Sequence, residues 1–319
     1  MTRGELPGSD VLDAVRSARS IALAFDSDAD GLTAAALFRH ALERIAPGKP
    51  LLTNTSVTRD FWGDEFLAEV RSREADLLVS LDTDPVSYGQ LERMRKVLGE
   101  DVDLLIIDHH PVAVSTDDPH ILRVNPHIFG HPGGSRYCTA KLCFDIFRQY
   151  VEHYDWLAAA GVIGDHGIDY WHAFLAETLE RNGKHFPVHD PEDWFRSPLA
   201  KLLVPINCAR AIDKKAVERM WQVMLDLKDI GDALRQANPF PDVQKTVDRY
   251  IRDSDTLMEV DEERGIAWLT IDSPYHINSW VSSVISNRRP ELTYIVMQPM
   301  DRIVNVSARC QGQGTDCGE

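Results

Sequence analysis

The sequence feature that most constrains the fold is a series of short apolar segments, each followed by acidic residues. Residues 20–25 read SIALAF, residues 75–82 read ADLLVSLD, and residues 102–108 read VDLLIID. Their length and apolar composition are typical of buried strands. Helical patterns at 32–45 and 87–98 separate these strands. Strands that alternate with helices predict a parallel sheet covered on both faces.

The rest of the chain continues this pattern and then changes character. Further elements are predicted as a strand at 120–125, helices at 138–154, 155–167 and 216–237, strands at 265–272 and 292–309, and a helix at 278–288. We therefore predict an α/β protein in three parts. These are a parallel-sheet N-terminal domain at 1–195, a helical connector at 196–255 and a smaller mixed α/β C-terminal domain at 256–319.

The charge of the chain limits its partners. The sequence has 34 Lys and Arg against 50 Asp and Glu, which gives a formal net charge of −16. Sequence-independent binding to long duplex DNA needs a basic surface, so this charge argues against it. The charge does not exclude a short nucleic-acid substrate held by metal ions and a few local arginines. It does not exclude an oligomer either.

Two further features bear on where the chain works. No apolar run reaches the roughly 18 residues of a membrane-spanning helix, and the first ten residues lack the apolar core of a signal peptide. We therefore predict a cytoplasmic protein without membrane contact. The cysteines are odd in number and form no CxxC pair, which favours reduced thiols over disulfides or a zinc site. They are Cys138, Cys143, Cys208, Cys310 and Cys317.

Acidic and histidine residues collect at one kind of position, the carboxyl ends of the predicted strands. They are Asp26, Asp28 and Asp30 after the first strand, Asp82 and Asp84 at the second, and Asp108, His109 and His110 at the third. Parallel strands end at the same edge of a sheet, where open α/β proteins form their ligand crevices. We therefore expect these side chains to face one site.

A cluster of carboxylates with imidazoles needs cations to offset the repulsion between the carboxylates. Such oxygen and nitrogen ligands suit Mn²⁺, Mg²⁺ or Zn²⁺, and the lack of a thiolate favours Mn²⁺, with Mg²⁺ as the alternative. The number of ligands is sufficient for two ions. Two ions can clamp the attacking and leaving oxygens of a phosphoryl transfer and lower the pKa of a shared water toward about 7.

Each of these motifs alone also has a simpler explanation. The sequence DADG at 28–31 is typical of a turn that caps the following helix, since Asp and Gly suit that geometry. The sequence DHH at 108–110 is equally compatible with a structural role. Three strands that all end in such residues favour a metal site over coincidence.

Four motifs together resemble those of the DHH phosphoesterase superfamily. They are DSDADG at 26–31, LDTDP at 81–85, IDHHP at 107–111 and GVIGDHG at 161–167. This superfamily includes RecJ-type exonucleases, oligoribonucleases of the nano-RNase type, cyclic-dinucleotide phosphodiesterases, exopolyphosphatases and family II pyrophosphatases. The resemblance implies a metal-binding catalytic domain at 1–195 and a substrate-binding domain, of the DHH-associated type and only partial, at 256–319.

The resemblance also implies a role for individual carboxylates. Asp28 would bind one metal ion and Asp30 the other, while Asp82 would bridge both ions. Asp165 would complete the shell of the second ion. Asp108, the first residue of the tripeptide that names the family, is grouped with these predicted metal ligands.

The histidines of the third motif receive separate roles from the same resemblance. His109 would bind the ion that Asp30 binds. His110 would contact the substrate phosphate or assist proton transfer. Together with Asp82, these two histidines are the predicted catalytic residues.

The first motif departs from the pattern of many relatives, which carry a histidine four residues before its second aspartate. That position is Ala24 in this chain. RecJ-type proteins carry an aspartate two residues before that second aspartate, where this chain has Asp26. Asp26 is therefore predicted either to replace the missing ligand of the first ion or to support that ion from outside its shell.

The second domain resembles the DHH-associated domain less strongly. Ser307 and Arg309, in the sequence SAR, fall where relatives have a substrate-facing arginine after a serine. Arg136, in GGSRYC, is a further candidate for phosphate binding at the start of a helix. The glycine-rich GGGH-type motif of the family does not follow before residue 319, a difference expected to affect substrate binding more than metal chemistry.

These observations predict a Mn²⁺-dependent phosphodiesterase or exonuclease that hydrolyses single-stranded or short oligonucleotides by a two-metal mechanism. One alternative is an enzyme for a small substrate, such as polyphosphate, pyrophosphate or a cyclic dinucleotide. The other is a non-catalytic DHH protein that binds nucleic acid. Such a protein is expected to lose metal-binding carboxylates, whereas the predicted ligands are all present here.

Overall fold

A computed structural model describes residues 4–58 and 60–312 of the chain. The chain divides into two compact units. The first comprises Met1–Ile206 with Lys214–Ala237, and the second comprises Asn207–Asp213 with Asn238–Glu319. The boundaries after residues 195 and 255, together with the functions assigned to the three parts, stay predictions. Cys317 falls outside the described residues.

The first unit is built on a five-stranded sheet in which every neighbouring pair of strands is parallel. Its strands are β1 (Ile21–Asp26), β2 (Leu51–Ser56), β3 (Leu77–Leu81), β4 (Asp103–Ile107) and β5 (Ile121–Val124), in the order β2-β1-β3-β4-β5. The order reverses between β1 and β3, which is where open α/β sheets form a crevice at the carboxyl ends of their strands.

Ten helices accompany this sheet over the described residues up to 237. They are α1 (Gly8–Ser17), α2 (Ala29–Ile45), α3 (Asp64–Ser72), α4 (Leu91–Leu98), α5 (Thr139–Val151), α6 (Asp155–Gly164), α7 (Ile168–Arg181), α8 (Leu203–Ile212), α9 (Lys214–Asp226) and α10 (Ile230–Arg235). Helix α8 begins in the first unit and ends in the second. Short 3₁₀ turns occur at Gly134–Tyr137, Glu152–Tyr154, Pro191–Arg196 and Ala200–Leu202.

Both faces of the sheet are covered by helices. Alternate strand residues, Ala22, Ala24, Leu78 and Leu104, form a buried cluster with Phe66, Leu67 and Val70 of α3 and Met94 of α4. Helix α2 contacts β1 and β3, and helices α5 and α6 pack against α2. The strands β1 and β3 are consequently mostly apolar and buried, apart from the partly exposed Asp26 at the end of β1, as is typical of parallel strands covered on both faces. The predicted α/β class with a covered parallel sheet is confirmed.

The second unit contains a smaller mixed sheet. Its strands are β6 (Glu259–Asp261), β7 (Ile266–Thr270), β8 (Thr293–Met300) and β9 (Ile303–Cys310), in the order β6-β7-β8-β9. Strands β7 and β8 are parallel, and the other two pairs are antiparallel. Helices α11 (Pro241–Leu257) and α12 (Asn278–Ile285) belong to this unit. No helix in the described ranges is both long and apolar enough to cross a membrane.

Two predicted helices are shorter in the structure than in the prediction. The helix at 87–98 begins only at Leu91, because the preceding residues form turns, one of which places Gly89 in the left-handed region at φ 67°. The helix at 216–237 is two helices, since the side chain of Asp229 caps a new start by accepting a hydrogen bond from Asp232 N. A turn therefore sets the first of these helix starts, and a capping side chain sets the second.

A histidine of α2 couples the stability of the first unit to pH. The ring of His40 stacks on Tyr154 with 3.9 Å between the ring centroids, and its buried Nε2 has no hydrogen-bond partner among the described residues. Burial, assisted by the charges of Arg44 and His153, lowers the pKa of His40 to about 4. The unfolded chain therefore binds a proton at this histidine at a higher pH than the folded chain does.

We expect the folded state to lose stability as the pH falls from about 6.5 to about 4, because protonation of His40 then favours the unfolded chain. The variant His40→Phe keeps an aromatic ring on Tyr154 and removes this titration. Between pH 7 and 5 the wild type should lose about 1–2 kcal/mol relative to the variant in urea unfolding. Parallel pH profiles of the two proteins would contradict this account.

Candidate metal centre

The first motif occupies the turn between β1 and α2. Asp26 ends the strand, and Asp28 caps the helix, with its Oδ1 accepting a hydrogen bond from Gly31 N at 3.0 Å. Asp30 lies in the first helical turn, where the positive end of the helix dipole favours a carboxylate. The local sequence thus places three acidic residues within one turn, at the carboxyl edge of the sheet.

Asp30 is held by a second helix start. Its side chain is buried, and its two oxygens accept hydrogen bonds from Thr139 N at 2.7 Å and Ala140 N at 2.8 Å. These amides belong to the first turn of α5, whose N-cap residue Cys138 does not cap them with its side chain. Asp30 therefore satisfies backbone donors that a helix start otherwise leaves unpaired.

Asp82 follows β3 in an unusual backbone conformation, with φ at 59°. The left-handed region is uncommon for residues other than glycine but is tolerated by Asp and Asn. The conformation is maintained by a hydrogen bond from Asp82 N to Ile107 O at 3.0 Å. The buried Oδ1 accepts a hydrogen bond from Thr139 Oγ1 at 2.9 Å and lies 3.2 Å from His109 Nε2.

The two histidines after β4 are placed differently. His109 is buried between carboxylates, with its Nε2 3.8 Å from Asp30 Oδ2 and its Nδ1 3.6 Å from Asp165 Oδ2. The side chain of His110 is 44% exposed, and its Nδ1 lies 2.8 Å from Asp108 Oδ1. One imidazole is therefore enclosed in the cluster, while the other is oriented by Asp108 and open to solvent.

Three overlapping groups of candidate ligands result from this arrangement. They are Asp82 with His109 and His110, Asp30 with His109 and Asp165, and Asp26 with Asp28 and Asp82. In each group, one ligand atom from every residue lies within 4.8 Å of the others. His109 and Asp82 each belong to two groups, so the donors form one continuous cluster.

The electrostatics of the cluster favour bound cations. Burial, reinforced by the charge of Asp82, raises the pKa of Asp30 well above its usual range, and burial raises the pKa of Asp165 to about 6. Burial opposes a charge on His109, but its hydrogen bond to Asp82 raises the pKa of that imidazole to about 11. The protein alone thus retains protons on this cluster to reduce the repulsion between carboxylates.

The donor set fits a divalent cation. Two buried atoms in the cluster, His109 Nδ1 and Asp165 Oδ2, have no hydrogen-bond partner among the described residues. Buried polar atoms are normally paired, so an orphaned imidazole nitrogen beside an orphaned carboxylate oxygen is unusual. Both atom types are common ligands of Mn²⁺, Mg²⁺ or Zn²⁺.

Other predicted residues lie beside the cluster or outside it. Asp108 orients His110 and is not part of the three groups, so its role as a direct metal ligand stays a prediction. Asp84, which was expected to face the site, instead accepts a hydrogen bond from Val86 N and pairs with Arg123, whose side chain is 7% exposed. Arg136 has an exposed side chain, and its carbonyl accepts a hydrogen bond from Trp171 Nε1.

The remaining predicted substrate residues belong to the second unit. Ser307 Oγ is hydrogen-bonded to Ser282 Oγ of α12 at 2.8 Å. The guanidinium of Arg309 donates to the hydroxyl groups of Ser279 and Ser283, both at 3.3 Å. These contacts hold the arginine along α12, and its contact with substrate stays a prediction.

One residue of the site was missed by sequence reasoning. Thr139 contacts both Asp30 and Asp82, although neither its residue type nor its spacing from them suggests a metal site. The available signal was its position at the start of the helix that follows the third motif. That position predicts amides that need acceptors, but it does not say which carboxylates supply them.

A parallel α/β domain with carboxylates and imidazoles gathered at the ends of β1, β3 and β4 defines a candidate metal-binding protein. Residues 20–163 match the family model described as DHH family, N-terminal domain. Residues 20–163 therefore match a DHH-family N-terminal domain, and the resemblance deduced from the motifs is confirmed over these residues. Asp165 lies just beyond the matched region.

Known proteins are similar to this chain in sequence or in fold, at low sequence identity. An uncharacterized protein of Methanocaldococcus jannaschii is 27% identical over 142 residues, which are 43% of this chain and 31% of that protein. The structure of RecJ from Thermus thermophilus in complex with Mn²⁺ is similar with a TM-score of 0.64 and 18% identity, over 92% of this chain and 45% of that one. A structure of exonuclease RecJ bound to manganese gives a TM-score of 0.65 and 18% identity, over 93% of this chain and 82% of that chain.

Proposed function

We propose that this protein is a divalent-metal-dependent phosphoesterase that removes nucleotides from short or single-stranded oligonucleotides. The observation that carries the proposal is the continuous cluster of Asp and His ligands at the carboxyl ends of β1, β3 and β4. The match to the DHH family supports hydrolysis of phosphoester bonds, and the similarity to RecJ structures supports a nucleic-acid substrate.

The residues of the cluster would hold two ions. Asp26, Asp28 and Asp82 would hold one ion, and Asp30, His109 and Asp165 the other. Asp82 would be shared between the ions, because its Oδ1 lies 3.2 Å from His109 Nε2. When bound, the ions would supply Lewis-acid stabilisation of the phosphoryl oxygens and activation of a water. Mn²⁺ is our first choice, as in the similar RecJ structures, and Mg²⁺ is the alternative.

His110 would act on the substrate directly. Its hydrogen bond to Asp108 raises the pKa of the imidazole, so the ring keeps its proton to a higher pH. A protonated and partly exposed imidazole can donate a hydrogen bond to a phosphate oxygen as negative charge develops there. Asp108 would fix the orientation of the ring for this contact.

The substrate would be short. The net charge of −16 opposes binding of a long polyanion, so local contacts must provide the affinity. Arg136, Ser307 and Arg309 are the proposed phosphate contacts. A small substrate, such as polyphosphate, pyrophosphate or a cyclic dinucleotide, is the second candidate, because the same charge favours small anions held mainly by metal. A cytoplasmic location and an oligomeric state also stay predictions.

A ladder of 5′-labelled single strands, in DNA and RNA versions, tests the proposal. We expect Mn²⁺-dependent release of mononucleotides that stops when the metal is chelated. The label also gives the direction of digestion. Digestion from the 5′ end releases the label at once, whereas digestion from the 3′ end leaves it on strands that become progressively shorter. Lack of release from every strand, with Mn²⁺ bound, would contradict the oligonucleotide substrate. Hydrolysis of polyphosphate or a cyclic dinucleotide would then favour the second candidate.

The variant His110→Ala should separate substrate contact from metal binding. We expect turnover to fall about 10²–10³-fold, because a donor to the phosphate oxygens is lost. The Mn²⁺ content, measured by atomic emission on the dialysed protein, should stay close to that of the wild type, since other carboxylates hold the ions. A variant with the full rate, or one without bound metal, would contradict the role given to His110.

A further inference from the structure

Thr139 connects two carboxylates that arrive from different strands. Its backbone N donates to Asp30 Oδ2 at 2.7 Å, and its side-chain Oγ1 donates to Asp82 Oδ1 at 2.9 Å. The threonine is fully buried, so no solvent competes for these hydrogen bonds. The two carboxylates are otherwise far apart in sequence, one at the start of α2 and the other after β3.

We propose that Thr139 is a positioning residue, whose hydroxyl group fixes Asp82 relative to Asp30 so that the cluster is preorganised for metal binding. This inference rests on the metal site of the proposed function. It concerns affinity for the metal, which can be measured whether or not an oligonucleotide is hydrolysed.

The position of Asp82 explains why it needs such support. Its backbone is in the left-handed region, and its carboxylate is shared by two of the three ligand groups. A small rotation of this side chain would change both groups at once. The hydroxyl group of Thr139 holds the same oxygen, Oδ1, that lies 3.2 Å from His109 Nε2.

The two hydrogen bonds of Thr139 can be separated by mutation. The bond to Asp30 comes from the backbone amide and persists in any residue except proline. The bond to Asp82 comes from the hydroxyl group and persists only in serine. Thr139→Val keeps the branched shape and loses the hydroxyl group, whereas Thr139→Ser keeps the hydroxyl group. The two variants therefore isolate the contact with Asp82.

The experiment measures Mn²⁺ affinity of the full chain by electron paramagnetic resonance of the free ion, with thermal unfolding in chelator as the test of folding. A matched control is Thr178→Val, which removes the hydroxyl group of another fully buried threonine, on α7. Loss of an interaction that orients a metal ligand typically weakens affinity about 10–100-fold. We expect that loss in Thr139→Val, and affinities within about 3-fold of the wild type in Thr139→Ser and Thr178→Val.

Three outcomes would overturn the inference. They are a folded Thr139→Val protein with wild-type affinity, a Thr139→Ser protein as weak as Thr139→Val, or a wild-type chain that binds no Mn²⁺. If Thr139→Val does not fold, Thr139→Ala takes its place in the same comparison. If the wild type binds Mn²⁺ with the expected dependence on Thr139 but hydrolyses no oligonucleotide, the proposed function fails and this inference stands. If the wild type hydrolyses oligonucleotides but Thr139→Val binds Mn²⁺ as tightly as the wild type, this inference fails and the proposed function stands.

Discussion

Replacing Asp82 with asparagine is expected to lower oligonucleotide hydrolysis by about 10³-fold or more and to remove most of the bound Mn²⁺. Asp82 groups with Asp26 and Asp28, the proposed ligands of one ion, and lies 3.2 Å from His109, a proposed ligand of the other, so its loss should affect both ions. Asparagine is the informative substitution because it also tolerates the left-handed backbone that Asp82 adopts at φ 59°. The variant should therefore fold, and the missing charge should account for its loss of hydrolysis and of bound Mn²⁺.

A buried aspartate elsewhere in the first unit provides the control for Asp82→Asn. Asp155 is buried and accepts hydrogen bonds from Arg181 Nε at 2.8 Å and Asn182 Nδ2 at 3.0 Å. Asp155→Asn removes the same charge at similar burial and should leave metal content and turnover near those of the wild type. Comparable turnover in Asp82→Asn and the wild type, both measured with excess Mn²⁺, would refute the shared-ligand role.

Gly31→Ala is expected to destabilise the first unit by about 2–3 kcal/mol, although the same change normally stabilises a helix. A Cβ atom at this position would lie 2.4 Å from Asp26 O, a backbone atom that cannot move away without shifting the turn. The shift would also displace Asp28, whose carboxylate accepts from Gly31 N. We therefore expect weaker Mn²⁺ binding as well, by about tenfold or more.

Gly8→Ala is the matched control for this effect. Gly8 lies at the start of α1, and a Cβ atom there would meet no described atom within 4 Å. Its free energy of unfolding, from urea denaturation in chelator, should equal that of the wild type or exceed it by up to about 1 kcal/mol. Equal free energies of unfolding for Gly31→Ala and Gly8→Ala would contradict the prediction, because the turn would then accommodate the methyl group without cost.

The first sheet and its cluster were largely predictable because the relevant signals are local. An apolar run that ends in Asp82 or Asp108 is visible in a few residues, and the parallel arrangement then brings these ends together. Strand β2 (Leu51–Ser56) was not predicted, because it is an edge strand with a polar, partly exposed sequence, LLTNTS. Its pairing with β1 depends on a neighbour that the segment itself does not reveal.

The contacts inside the site were not predictable for a related reason. Thr139 is separated by 109 residues from Asp30 and by 57 residues from Asp82. Asp84 likewise pairs with Arg123 and does not join the cluster. This pairing depends on the position of Arg123 on β5, which the sequence around Asp84 does not reveal. Sequence patterns located the edge of the sheet, whereas tertiary packing chose which carboxylates face the cluster.

The separation of the ligand residues along the chain has a consequence for how the protein folds. The group that combines Asp30, His109 and Asp165 forms only after the start of α2 and the ends of β4 and α6 have come together, so the contacts that define the site are long-range and form late. An ion held there cannot guide the early steps of folding. The ion binds only the folded domain, so it increases the free energy of unfolding. It should lower the unfolding rate and leave the folding rate unchanged.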